Sequence, residues 1–236
     1  MIFRGWIKVS YIEYPGKIST VLFTGGCNFR CPYCHNPELV KPEVFLPKIK
    51  DREVIEFLSL RKGMIDAICI TGGEPLIHAL DLFPFLDTVK KLGYFIKIDT
   101  NGSFYEQFHQ FSQSSFVDLW GIDFKLPFSQ YDKVQGMKWV KNCQLVLEEA
   151  LLNPQQAEIR TTVFPPHHNE KVLQEMANHC SNATHWYWQN FQPQKTLNED
   201  AQCVTPYSLS ILNVWRECIN QKIGRDLVII RSSVSQ

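Results

Sequence analysis

The feature that most restricts the fold of this chain is an alternation of short apolar runs with helical patterns. STVLFT (19–24), AICIT (67–71), YFIKIDT (94–100), DLWGIDF (118–124), AEIRTTVF (157–164), THWYWQ (184–189) and DLVIIR (226–231) are short, β-branched or aromatic, and bounded by turn residues. Runs of this kind suit strands buried on both faces of a parallel sheet. Segments 51–60, 79–93, 140–152, 170–180 and 206–219 carry helical patterns between them. In the first, Asp51 reads as an N-cap, with Val54, Ile55 and Leu58 on one face. Pro84 is expected to break the second, which Lys90, Lys91 and Gly93 then stop. Repeated β–α units imply a mostly parallel sheet with helices outside. The 236 residues supply about six such units, short of the roughly 250 residues of a closed eightfold barrel. The expected fold is therefore α/β: a partial, laterally open (β/α)6 barrel of mostly parallel strands. FRGWIKVS and DLVIIR would extend its edges, and an open side suits a macromolecular substrate. With no repeat, low-complexity tract or charge run, residues 1–236 read as a single domain, and QPQKTLNEDAQ (192–202) as a surface loop.

Hydrophobic residues make up 44% and charged residues 20%, enough for a proper core. Lys+Arg and Asp+Glu number 24 each. That balance argues against a nucleic-acid binder, which needs a basic surface to displace counterions. No apolar run is long enough to span a membrane, and MIFRGWIKVSYIEYPG lacks the apolar core of a signal peptide. A cytoplasmic protein is expected. In a reducing compartment the five scattered cysteines, Cys69, Cys143, Cys180, Cys203 and Cys218, read as small buried hydrophobes.

Cys27, Cys31 and Cys34 differ from those five. They fall within eight residues, in TGGCNFRCPYCHNPEL, directly after the first of the seven runs. An α/β fold presents its chemistry on the loops that follow its strands. TGGEP follows the second run, DTNG the third, DFK ends the fourth, and Arg160 lies in the fifth, so these groups are expected to converge on one face. The spacing C-x3-C-x2-C supplies three thiolates, whereas a structural zinc site usually takes four ligands. His35 adjoins Cys34, and neighbours rarely both reach one tetrahedral ion. Three thiolates on a 4Fe–4S cubane leave one iron open to a substrate or cofactor. Gly25 and Gly26 allow the tight turn this needs. Three buried cysteines, or a degenerate zinc knuckle, are the bland alternatives.

CNFRCPYC resembles the signature of the radical S-adenosylmethionine (radical SAM) enzymes. CHNPEL, with PGKIS upstream, resembles the glycyl-radical-enzyme activases among them. Within that group the chain is similar to anaerobic ribonucleoside-triphosphate reductase activating proteins and to pyruvate formate-lyase activating enzyme, from about residue 10 to Pro193. The resemblance implies a 4Fe–4S cluster held by Cys27, Cys31 and Cys34, whose open iron chelates S-adenosylmethionine. An electron, from reduced flavodoxin or ferredoxin, cleaves the sulfonium to methionine and a 5′-deoxyadenosyl radical, which takes hydrogen from a glycine of a partner protein. The cofactors carry the hard chemistry and the protein positions them. Tyr33 stands at the family's aromatic position near the adenine; plain core packing is the other reading. TGGEP matches the segment in which Gly72, Gly73 and Glu74 meet the cofactor's amino group. Arg160 matches a cofactor-facing arginine, although a structural carboxylate partner would equally explain it.

Asp99, Thr100, Asn101, Asp123 and Lys125 read either as strand-end capping or as part of this site. Asp99 and Asp123 end consecutive strands, and parallel neighbours lie about 5 Å apart. Both carboxylates and that of S-adenosylmethionine would then crowd one crevice, with Lys125 offsetting one charge. A sodium or potassium ion on Asp99, Asp123 and the carbonyls of Thr100 and Gly121 would resolve the conflict. The resemblance to pyruvate formate-lyase activating enzyme implies a monovalent cation at the matching place.

The chain departs from the family at EYPG (13–16), in place of an acidic-Gly-Pro-Gly stretch, and at QNFQP (189–193), which lacks the histidine that meets the cofactor there. No cysteine-rich insertion follows Cys34, so extra clusters are not expected. A radical enzyme acting on a small molecule, such as a deazapurine precursor, and a zinc-stabilised binding module are the competing functions.

Overall fold

The computed structural model describes residues 1–40 and 46–231. The chain forms two compact units. One comprises Met1–Asn28, Glu38–Thr100 and Phe104–Gly121, and the other Phe29–Pro37, Asn101–Ser103 and Ile122–Gln236.

The first unit begins with β1 (Ile2–Phe3) and β2 (Gly5–Ser10), followed by β3 (Ser19–Thr24). The short helix α1 (Pro37–Val40), β4 (Ile49–Lys50) and α2 (Asp51–Ser59) come next. β5 (Ala67–Gly72), α3 (Ala79–Lys91), β6 (Phe95–Thr100), α4 (Tyr105–Ser112) and the start of β7 (Leu119–Asp123) complete it. Its strands run in the order β2-β3-β5-β6-β7. β3, β5 and β6 are parallel, and β2 lies antiparallel on the outer edge of β3. β1 and β4 form a separate antiparallel pair. Ile68, Ile70, Ile96 and Ile98 are fully buried. On the alternate positions Val21 and Cys69 pack with Tyr14, Ala67 and Leu119, as strands covered on both faces require.

The second unit carries the end of β7, then α5 (Val140–Ala150), β8 (Ala157–Val163), α6 (Glu170–Cys180), β9 (Trp186–Asn190), α7 (Leu209–Ile223) and β10 (Val228–Arg231). Its strand order is β7-β8-β9-β10, with β8, β9 and β10 parallel. Trp186 and Trp188, both fully buried, fill one face of β9.

β3, β5, β6, β7, β8 and β9 each lead into a helix, which gives the six β–α units expected. The strand order does not return on itself, so the mostly parallel arrangement is open, as the sequence predicts. All seven sequence-read strands are present to within two residues at each end. α1 and α4 were not among the five helical segments read from the sequence, and three of those five readings need correction. Asp51 is the first helical residue rather than the cap: Lys50 is the N-cap, and its N–H donates to Glu53 Oε1 at 3.1 Å. Pro84 lies inside an unbroken α3. Four buried residues, Leu82, Phe85, Leu86 and Val89, anchor that helix, and this packing outweighs one missing backbone bond. α7 starts three residues later than read. Its cap is Ser208, whose hydroxyl accepts from Ile211 N–H, and it stops at Gly224 in the left-handed region.

The 192–202 stretch is more than a surface loop. It runs into a 3-10 turn (Glu199–Cys203), and Thr196 and Ala201 are buried. Cys69, Cys143 and Cys180 are buried as expected, but Cys203 and Cys218 are exposed.

Candidate active site

In the first unit, two glycine pairs interlock at the ends of β3 and β5. Gly73 N–H donates to Thr24 O (3.0 Å), and Glu74 N–H donates to Gly26 O (2.8 Å). A Cβ on Gly73 would lie 1.9 Å from Gly26 O, and one on Gly72 would lie 2.5 Å from Thr24 N. Gly72 also has φ +119°. Only glycine permits so close an approach of two backbones. Gly26 N–H donates to Leu39 O, and His78 Nε2–H donates to Gly25 O at 2.7 Å. The loop that leads into Cys27 is therefore fixed from three directions.

Glu74 is fully buried. Its Oε1 accepts from Thr100 Oγ1 (2.7 Å) and from Leu76 N–H (3.1 Å), so it caps the turn that follows. Asp99, at the end of β6, is nearly buried and lies 3.6 Å from Lys97 Nζ.

In the second unit, the segment holding Cys31 and Cys34 is pinned residue by residue. Phe29 is buried against Tyr131 and Trp139. Arg30 N–H donates to Val134 O, and Pro32 O accepts from Asn198 N–H, both at 3.0 Å. Cys34 N–H donates to Cys31 O (3.1 Å), which closes a tight turn between the two thiols. Tyr33 is buried between Phe164 and His167. Its hydroxyl has no hydrogen-bond partner among the described residues, and burial, with Cys31 nearby, pushes its pKa well up. His35 stacks on Phe191.

Asp123 receives Arg160 at 2.8 Å and 3.2 Å and Lys125 at 3.2 Å. Burial pushes its carboxyl up, but Lys125 and Arg160 together hold it below the usual carboxylate range. Arg160 is itself buried, so it has the structural carboxylate partner that the sequence left open. The fully buried His168 joins two loops of this unit. Its Nδ1 accepts from Phe164 N–H (3.0 Å), which leaves the proton on Nε2 to donate to Lys125 O (2.8 Å). Burial lowers its pKa to about 4.

The structure thus places Gly72, Gly73, Glu74, Asp99, Thr100 and Gly121 in the first unit with Cys27. Cys31, Tyr33, Cys34, Asp123, Lys125 and Arg160 lie in the second. Lys97, Phe29, Asn198 and His168 were missed. Only Lys97 had a visible signal, a charge inside an otherwise apolar strand. Among the described residues no group of three or more His, Cys, Asp and Glu side chains is drawn together as a metal site. None of the eight cysteines is in a disulfide, and Cys27 and Cys34 are partly exposed. In the second unit Cys31 and Cys34 share one tight turn, a thiol pair of the kind an iron–sulfur cluster takes. The close glycine interlock beside Cys27 is backbone against backbone and holds the loop that carries Cys27.

Comparison with known proteins agrees with this donor set. The Radical SAM superfamily model matches residues 21–138, half of the chain. The chain belongs to the radical SAM superfamily, which implies a 4Fe–4S cluster and S-adenosylmethionine. A Methanocaldococcus jannaschii protein, provisionally named a glycyl-radical enzyme activating enzyme, is 30% identical over 203 residues, covering 83% of this chain and 82% of its own. The chain is a member of that family of activating enzymes. The pyruvate formate-lyase-activating enzyme of Staphylococcus aureus is 31% identical over 94 residues, 38% of this chain and 37% of that enzyme. Among solved structures, Streptococcus suis SuiB bound to S-adenosylmethionine superposes with a TM-score of 0.67 at 13% identity. That match covers 90% of this chain but about half (51%) of SuiB. QueE from Escherichia coli has a TM-score of 0.58 at 16% identity, covering 98% of this chain and 93% of its own. Among the described residues no helix is long and apolar enough to cross a membrane.

Proposed function

We propose that this chain reductively cleaves S-adenosylmethionine and installs a glycyl radical on a partner enzyme, with anaerobic ribonucleoside-triphosphate reductase the preferred partner. The observation that carries the reading is the Cys27, Cys31, Cys34 segment directly after β3, its lead-in loop locked onto the Gly72–Gly73 turn of β5. Similarity along most of the Methanocaldococcus jannaschii relative supports the same reading. When bound, the cluster supplies the electron that opens the sulfonium of S-adenosylmethionine. Cys27, Cys31 and Cys34 would hold that cluster, and the Gly72–Glu74 turn would receive the methionine end of the cofactor. Tyr33 would bring its unpartnered hydroxyl and ring to the nucleoside end. Lys125 and Arg160 fix Asp123, so that the end of β7 presents a neutralised carboxylate. The electron donor would be reduced flavodoxin or ferredoxin.

The test is anaerobic. Reconstituted protein, S-adenosylmethionine and a reductant are mixed with candidate glycyl radical proteins and read by electron paramagnetic resonance. A protein-borne radical on the reductase is expected, with about four irons per activase chain. Replacing Cys27, Cys31 or Cys34 by Ala should abolish iron retention and methionine release, whereas Cys143→Ala keeps both. Loss of iron in Cys143→Ala would refute the three-ligand assignment. A radical on pyruvate formate-lyase and none on the reductase would reverse the choice of partner. Cofactor cleavage with no protein radical on either would favour a small-molecule substrate.

A further inference from the structure

Lys97 is 1% exposed, among the most completely buried side chains of the molecule. Its Cα partner across the β5–β6 ladder is Cys69, and it shares one face of β6 with Asp99, while Ile96 and Ile98 take the other. Around it lies an apolar cluster of Tyr14, Val21, Ala67, Cys69 and Leu119. An ammonium in such surroundings is strongly disfavoured unless oxygen ligands replace its water. Two are present. Glu13 O accepts from Lys97 Nζ at 2.7 Å, and Asp99 Oδ1 lies at 3.6 Å.

A backbone carbonyl and a carboxylate are also the ligands that an alkali-metal ion selects. Lys97 Nζ therefore stands where such an ion would gain most, between Glu13 in the EYPG stretch and the carboxylate ending β6. Cys69 does not compete for the charge: burial, and then Asp99, push its thiol up to about 12, so it stays neutral. Asp123 is separately supplied by Arg160 and Lys125. Each aspartate thus has a cation beside it, whereas the expectation of a sodium or potassium ion counted Lys125 alone.

We propose that Lys97 is a positioning residue for cofactor binding, its ammonium acting as the fixed counter-cation of Asp99 so that S-adenosylmethionine binds without a sodium or potassium ion. The proposal rests on the reading that this chain binds S-adenosylmethionine.

The test measures binding rather than turnover. Affinity of the anaerobically reconstituted protein for S-adenosylhomocysteine, which is not cleaved, is measured by calorimetry in potassium, sodium and tetramethylammonium chloride at equal ionic strength. The wild type should give the same affinity in all three; a requirement for potassium or sodium would overturn the proposal. Lys97→Met removes the ammonium beside Asp99. It should lose about tenfold in affinity in tetramethylammonium, and potassium or sodium should restore most of that. Unchanged binding in this variant would also overturn the proposal. The double variant Lys97→Met/Asp99→Asn removes both charges and serves as the folding control. It should bind equally in all three salts, and alkali dependence there would refute the pairing. A wild type that binds no S-adenosylhomocysteine in any salt would overturn the cofactor reading itself, and the role of Lys97 with it.

Discussion

His168 uses both ring nitrogens, one toward Phe164 after β8 and one toward Lys125 after β7. It also accepts Tyr207 OH on its carbonyl at 2.9 Å. A histidine so placed is a neutral brace rather than a base. Burial holds its folded pKa at about 4, whereas an unfolded histidine titrates near 6.5. Between those values the unfolded chain binds more protons, so stability falls as pH falls. The contribution is fully present above about pH 6.5, is lost progressively on acidification, and levels off near pH 4. The gap corresponds to about 3 kcal/mol. Urea midpoints measured from pH 7.5 to 4.5 should show this loss in the wild type and a shallower one in His168→Gln, which does not titrate. Equal acid sensitivity in the two proteins would remove His168 from that role. His168 stood in the sequence beside His167 without any mark that distinguished it. Its role depends on two backbone atoms, one 4 and one 43 residues away, and no local pattern encodes the second. The cysteine triplet stood out because its three thiols sit close together in sequence. Arg160 and Asp123 were each legible, but not their pairing.

At the level of elements, the contact between the β3 and β5 loops is the feature on which the site's geometry depends. Gly63 and Gly73 provide a controlled comparison. Gly63 has φ +77° and open space around an added Cβ, whereas Gly73 would drive a Cβ to 1.9 Å from Gly26 O. Gly63→Ala should cost about 1–2 kcal/mol from left-handed strain alone and leave methionine release unchanged. Gly73→Ala should cost about 1–3 kcal/mol through overpacking. By shifting the loop into Cys27 it should also lower cofactor cleavage about a hundredfold. Thermal melts with a methionine-release assay separate the two effects. A Gly73→Ala protein with full activity would show that the interlock does not position the cysteine loop. The strands were readable because each is a short β-branched or aromatic run with clear boundaries. Helix ends were less so. The helical pattern was read from residue 206, while the signals that bound α7 are Ser208 and Gly224. Pro84 looked like a breaker because local propensity carries no information about the four apolar side chains that bury the helix around it. The anchoring of Phe29 between Tyr131 and Trp139 likewise joins residues more than a hundred positions apart.

For the whole molecule, the even balance of 24 basic and 24 acidic residues bears on how a protein partner is met. Steered association draws on a net field and weakens steeply as salt screens it. This chain has no net charge to supply such a field at neutral pH. Its more strongly placed charges are spent internally: Lys97 on Asp99, Arg160 and Lys125 on Asp123, and Lys90 on Asp118. Docking of a glycyl radical enzyme should therefore rest on shape and apolar contact, with on-rates in the ordinary unsteered range. The expected outcome is a rate of radical formation that changes by no more than about twofold as ionic strength rises from 0.05 to 0.3 M, a span over which the Debye length shrinks by more than half. The rate is followed by electron paramagnetic resonance at subsaturating partner, where association limits the signal, and cofactor cleavage without partner is followed in parallel to remove any salt effect on the chemistry. A rate that collapses with salt while cleavage holds steady would show that a local charged patch, rather than the neutral whole, carries the docking.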